Sequence, residues 1–92
     1  LERQTGPEHA GEGETSLMLY LMPEMVRKDE IRDYALDARQ LRSYLRGRMP
    51  RPPTGCEGAI GYPSAATAEK GEKIYRYMLH RISTRLFPAP KV

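Results

Sequence analysis

Leu17-Met18-Leu19-Tyr20-Leu21-Met22, closed by Pro23 and approached through Glu8-His9-Ala10-Gly11-Glu12-Gly13-Glu14-Thr15-Ser16, limits most strongly how this chain can fold. A helix that is apolar on nearly every side needs cover on several faces. Its approach, however, holds three carboxylates and an imidazole, which are costly to bury unless paired, protonated or bound. With the apolar run inside, the polar approach is expected at the floor of a cleft. Gly11 and Gly13 add the freedom for close backbone approach that a site needs and a plain helix does not. This stretch is read as a functional site.

The rest of the chain punctuates itself. The first helix should start near Gly11 to Gly13, with Glu12 and Glu14 complementing its dipole, and end at Pro23. Glu24 to Tyr34 is charged and mixed, anchored by Met25, Val26 and Ile31, and reads as turns and short irregular structure. Asp37 caps a second helix with Leu41, Tyr44 and Leu45 on one face and Gly47 as its stop. Pro50, Pro52 and Pro53 favour extended chain. Gly58-Ala59-Ile60-Gly61 is a short strand-like fragment. Thr67 caps the last helix, Glu69 lies in its first turn, and it stops before Pro88. Ile74, Tyr75, Met78, Leu79, Ile82 and Leu86 form its apolar stripe, flanked by Lys70, Lys73, Arg76, His80 and Arg81.

Composition bounds the partners. At 92 residues, 39% hydrophobic and 29% charged, the chain is globular in character with a modest core. One amphipathic helix cannot cover every face of the Leu17–Met22 run, so the remainder would form an apolar patch. Another segment is therefore expected over residues 14–22. The net charge of +3 comes from interleaved signs, as on a solvated face. A single cysteine fits a reducing compartment, and no apolar run reaches the roughly 18 residues that span a bilayer. The expectation is a cytoplasmic location without membrane contact. Cys56 beside Glu57 has nothing to fix a thiolate, and reads as a small residue in a Gly-rich turn rather than a nucleophile paired with His9.

The stretch E-H-A-G-x-x-E-T-S-L-M-L at residues 8–19 resembles the signature of the creatininase (creatinine amidohydrolase) family. Gly61-Tyr62-Pro63-Ser64-Ala65-Ala66-Thr67-Ala68-Glu69-Lys70-Gly71-Glu72 is similar to that family's G-D-P-x-x-A-T-x-E-K-G-E segment. The resemblance implies an α/β, three-layer core to which this chain supplies mainly helices and one short strand. Family members are longer, so residues 1–92 correspond to the C-terminal part of the domain, with a variable region at about 27–57. It further implies hydrolysis of a cyclic amide or related C–N bond in a small-molecule substrate, at a two-metal centre. His9 would then be the general acid/base and Glu8 its neighbour that binds substrate or holds the ring. The divalent ions (zinc, manganese or iron) would take their ligands from outside this chain, from a missing segment or another polypeptide. Family members are oligomers that look like trimers of dimers, so a hexamer-like assembly is implied.

The residues themselves support part of this. Imidazole takes and gives protons near neutral pH, and His9 precedes the helix, free to project from a loop. Thr15 and Ser16 satisfy unpaired backbone amides at a helix start. Glu14, where the apolar run begins, is read as a buried carboxylate in an ion pair or hydrogen bond that supports the site. Glu12, at a variable position, is read as a surface carboxylate. Glu8, His9, Glu12 and Glu14 crowd too closely in sequence to make a metal site of their own. Thr5 stands where creatininases proper carry a tryptophan that closes over the substrate, and Tyr62 stands where they carry Asp. From a different class comes the alternative, a non-catalytic subunit or a small basic module that uses Arg39, Arg42, Arg46, Arg48 and Arg51 for an anionic partner. It lacks the aromatic platform or reading helix of a nucleic-acid binder, so no nucleic acid is expected.

Overall fold

A computed structural model describes residues 1–3, 6–49 and 53–90. Thr5, the Pro50–Pro52 segment with Arg51, and the last two residues therefore lie outside the described residues. Three α-helices follow in order: α1 (Glu12–Leu21), α2 (Ala38–Leu45) and α3 (Ala68–Leu86). Single 3₁₀ turns stand at Pro23–Met25, Lys28–Glu30 and Pro63–Ala65.

Local chemistry sets the helix ends. Pro23 closes α1 and opens the next turn, because it offers no amide to continue the ladder. Asp37 Oδ1 accepts from the Gln40 amide at 2.8 Å, and Gln40 Oε1 accepts from the Asp37 amide at 3.0 Å. This is a complete capping box, and an N-cap of this kind is worth about 1 kcal/mol. Past α2 the chain reverses at Gly47, where φ is +67°. Thr67 Oγ1 caps α3 by accepting from the Lys70 amide at 3.1 Å.

The short strand expected at Gly58–Gly61 is realised as two single-residue antiparallel bridges, His9 to Ile60 and Tyr34 to Gly61. No strand longer than these bridges occurs among the described residues. The paired Ile60-Gly61 step thus ties the start of the first motif to the 31–34 segment. Ser64 reinforces the same join, donating its amide (2.9 Å) and its hydroxyl to Asp33.

The middle of α1 meets the first turn of α3, where the backbones nearly touch. A Cβ at Gly71 would fall within the Ser16 carbonyl group and 2.9 Å from Tyr20 Cβ. Only glycine fits there. One turn farther on, the Tyr20 and Tyr75 rings meet with centroids 5.6 Å apart.

Helix lengths then explain the shape. At 1.5 Å per residue, α1 is about 15 Å long and α3 about 28 Å, so α3 outruns its cover. Its distal residues Tyr77 (64% exposed), Met78 (47%) and Leu86 (69%) are uncovered, as are Leu21 of α1 and Met22 just after it. The radius of gyration, 15.9 Å, exceeds the roughly 12 Å of a compact chain this long. Among the described residues Ile60 is the only large apolar side chain that is buried.

Gly71→Ala tests the crossing. Inside a free helix, alanine gains about 1 kcal/mol over glycine, but overpacking against backbone costs about 1–3 kcal/mol. The urea midpoint of the variant should fall; a rise would mean that the helices do not approach as described.

Candidate functional site

The site grows from an uncapped helix start. Gly11 is the N-cap of α1 and has no side chain to offer its amides. Glu8 supplies the missing acceptor: its two carboxylate oxygens accept from the amides of Gly13 (3.0 Å) and Glu14 (3.1 Å). The positive end of the helix dipole favours a carboxylate there. A Cβ on residue 13 would stand 2.5 Å from Glu8 Oε1, which is why glycine precedes Glu14. The Glu8 carbonyl also accepts from the Tyr44 hydroxyl of α2 at 3.5 Å.

His9 is held through its backbone. Its amide donates to the Ile60 carbonyl at 2.9 Å, and its carbonyl accepts from the Ile60 amide at 2.7 Å. The residue itself is exposed, so the main chain is pinned while the imidazole faces outward. Ala10 follows with φ +51°, the only positive value outside glycine among the described residues. Such a conformation costs about 1–3 kcal/mol and persists only where neighbours enforce it. Here Glu14 Oε1 accepts from the Ala10 amide (2.7 Å) and Thr15 Oγ1 donates to the Ala10 carbonyl (3.0 Å).

Two carboxylates exchange the environments expected of them. Glu14 is exposed, not buried, because it reaches back along the outside of the turn. Glu12 is not a surface residue: it is wholly buried. Its Oε2 accepts from the Glu2 amide and its Oε1 from the Arg3 amide, both at 2.8 Å, and Lys70 Nζ lies 3.0 Å from Oε2. Lys70 also reaches Glu2 Oε1 at 3.2 Å and donates to the Ala65 carbonyl at 2.5 Å. Ser16, equally buried, accepts from the Thr67 amide at 3.2 Å. The hydroxyl thus serves the start of α3 rather than that of α1. The two motifs are therefore the two halves of one joint.

The remaining readings place simply. His80 is exposed on α3, and Arg39, Arg42, Arg46 and Arg48 are exposed around α2. Cys56 is half-buried, with Sγ 3.5 Å from the Ala59 carbonyl. Arg3 places its guanidinium 4.3 Å from the Tyr62 ring centroid, a cation–π contact that occupies the Tyr62 departure. Rather than lying at a cleft floor, His9 is exposed. A cleft lined by Pro7, Tyr34, Leu36, Leu41, Ile60 and Tyr62 opens beside its bridge partner. Among the described residues no three of His, Cys, Asp and Glu are grouped to hold a metal ion. Glu8 and Glu14 instead direct their oxygens at backbone amides, so these residues do not fit a metal centre.

Sequence reasoning missed the Glu12–Lys70 pair, the Ala10 turn and Glu8 as helix cap. Only the last left a local signal: a helix that starts on glycine needs an acceptor from nearby.

The arrangement is an exposed histidine whose backbone is pinned just before a helix. The family described as creatininase, creatinine amidohydrolase, matches residues 1–86. The chain belongs to the creatininase family, which is of the amidohydrolase kind and generally metal-dependent. No curated protein and no solved structure matches the chain. No helix among the described residues is long and apolar enough to cross a membrane.

The joint gives a pH dependence with a definite sign. Desolvation pulls Lys70 down, but its hydrogen bonds to Glu12 and Glu2 outweigh that and hold it above its ordinary value of 10.5. A raised folded pKa means the contribution is complete below 10.5 and lost as pH rises through the folded value. Stability should therefore fall above about pH 10.5, more in the wild type than in Lys70→Met. Urea midpoints from pH 8 to 12 measure this, and equal alkaline slopes in the two proteins would contradict it.

Proposed function

We propose that this chain is the C-terminal part of a creatininase-family hydrolase domain that opens a cyclic amide or related C–N bond, with His9 as general acid/base. The observation that carries the reading is the two-way Ile60 bridge, which fixes His9 while leaving its ring exposed. General acid catalysis needs a positioned proton donor with a pKa near working pH, and imidazole meets that condition. In the reaction water adds to the amide carbonyl while His9 takes its proton; the C–N bond then breaks and His9 returns that proton to the departing nitrogen. Glu8 orders the start of α1 and so holds the loop from which His9 projects.

The rest of the assembly is proposed on the family alone and on the uncovered helix faces. The α/β three-layer core would be completed by segments packed over residues 14–22. Those segments would carry the ligands for divalent ions (zinc, manganese or iron), since the residues described here do not form such a site. A hexamer-like homo-oligomer and a cytoplasmic location fit the same reading. The absence of tryptophan removes the residue that closes over creatinine in creatininases proper, so the substrate is left at the class of cyclic amides.

His9→Ala in the complete assembly is the test. Metal content should stay near wild type while kcat falls about a hundredfold or more; unchanged turnover would remove His9 from the chemistry. By sedimentation the same material should run heavier than this chain alone, and a folded, active monomer of 92 residues would remove the partner.

A further inference from the structure

The four backbone polar groups from the His9 amide to the Ala10 carbonyl are all engaged. The His9 amide and carbonyl are taken by Ile60, the Ala10 amide by Glu14 and the Ala10 carbonyl by Thr15. Between the two pairs lies the left-handed φ of Ala10. This angle decides how the chain passes from the bridge at His9 into α1, and therefore where the imidazole sits relative to that helix. A residue with a Cβ does not hold such a φ unaided.

Glu14 stands three residues after the N-cap, where a glutamate commonly reaches back to the cap residue's own amide. Here it bonds one residue earlier, at Ala10. The helix amides of Gly13 and Glu14 are already satisfied by Glu8. Glu14 is therefore spent on the turn beside His9 and not on the helix. Its exposure separates it from the core, so its removal does not leave a buried charge.

We infer that Glu14 is a positioning residue for His9, acting through the Ala10 turn; this rests on the reading of His9 as the proton carrier. The carboxylate works here as a hydrogen-bond acceptor, neither as an acid nor as a metal ligand. An amide oxygen in its place accepts the same bond. Glycine at position 10 reaches the same φ without a Cβ penalty.

The experiment compares kcat and KM for Glu14→Ala, Glu14→Gln and Glu14→Ala with Ala10→Gly, each in the full protein and repeated with His9→Ala. Displacement of a catalytic group by about an ångström lowers rate up to about a hundredfold. The expected result is that Glu14→Ala lowers kcat at least about tenfold at nearly unchanged KM. Glu14→Gln should keep most of the rate, and Ala10→Gly should restore part of what Glu14→Ala loses. With His9 already alanine, Glu14→Ala should cost nothing more. Amide exchange at Ala10 provides a readout independent of activity: it should quicken in Glu14→Ala while the Lys70 amide in α3 stays protected, showing that the joint is intact.

Three outcomes overturn the proposal. They are a Glu14→Gln enzyme as slow as Glu14→Ala, an undiminished Glu14→Ala loss in the His9→Ala background, and unchanged exchange at Ala10. Full activity in His9→Ala alone would instead overturn the proposed function, while the exchange data would still report whether Glu14 holds the turn.

Discussion

The buried Glu12 carboxylate is the constraint on which the other parts depend. It lies where the Leu1–Arg3 segment, the first turn of α1 and the first turn of α3 come together. The Leu1–Arg3 segment donates two backbone amides to it, and the first turn of α3 brings Lys70. A buried charge adds little net stability over a well-packed apolar group, but removing its partner is strongly unfavourable. The pair therefore acts as a register device. Once Lys70 is on Glu12, Gly71 faces the Ser16 carbonyl and Thr67 finds the Ser16 hydroxyl. The segment that carries His9 is then tied back by Ile60, which directly precedes the second motif.

Polar joints of this kind do the work that an apolar core does in a self-sufficient domain. With Ile60 the only large buried apolar side chain among the described residues, cohesion rests on caps, bridges and the close helix crossing. Met18 and Leu21 of α1 and the apolar side chains of distal α3 lie uncovered, on surfaces that the assembly proposed above would bury.

Much of the fold was legible because its signals are local. Pro23, Asp37, Gly47, Thr67 and Pro88 each act within one turn of themselves, and the helices begin and end beside them. The strand-like Gly58–Gly61 fragment was legible as pairing but not in extent, because its partners at His9 and Tyr34 each contribute one residue. The carboxylates were misplaced for a related reason. Burial of Glu12 depends on the chain's first residues folding back and on a lysine from the other motif, and neither leaves a periodic trace near position 12. Glu14 was expected inside because it borders the apolar run, yet the left-handed turn at Ala10 offers it an amide on the outside. In the sequence Lys70 flanks the α3 stripe, whereas in the fold it points into the joint. His9 was singled out by its motif and its loop position; its anchoring to Ile60 needed the fold.

A double-mutant cycle on Glu12→Gln and Lys70→Met tests the joint most directly. Glu12→Gln leaves Lys70 with only the exposed Glu2, Lys70→Met leaves the buried Glu12 carboxylate without its cation, and the double change removes the buried charge altogether. The account predicts that the double variant's urea midpoint loss is clearly smaller than the sum of the single losses, as for residues in direct contact. Losses that simply add would show that Glu12 and Lys70 act independently, and would contradict the claim that this pair sets the docking of the two motifs.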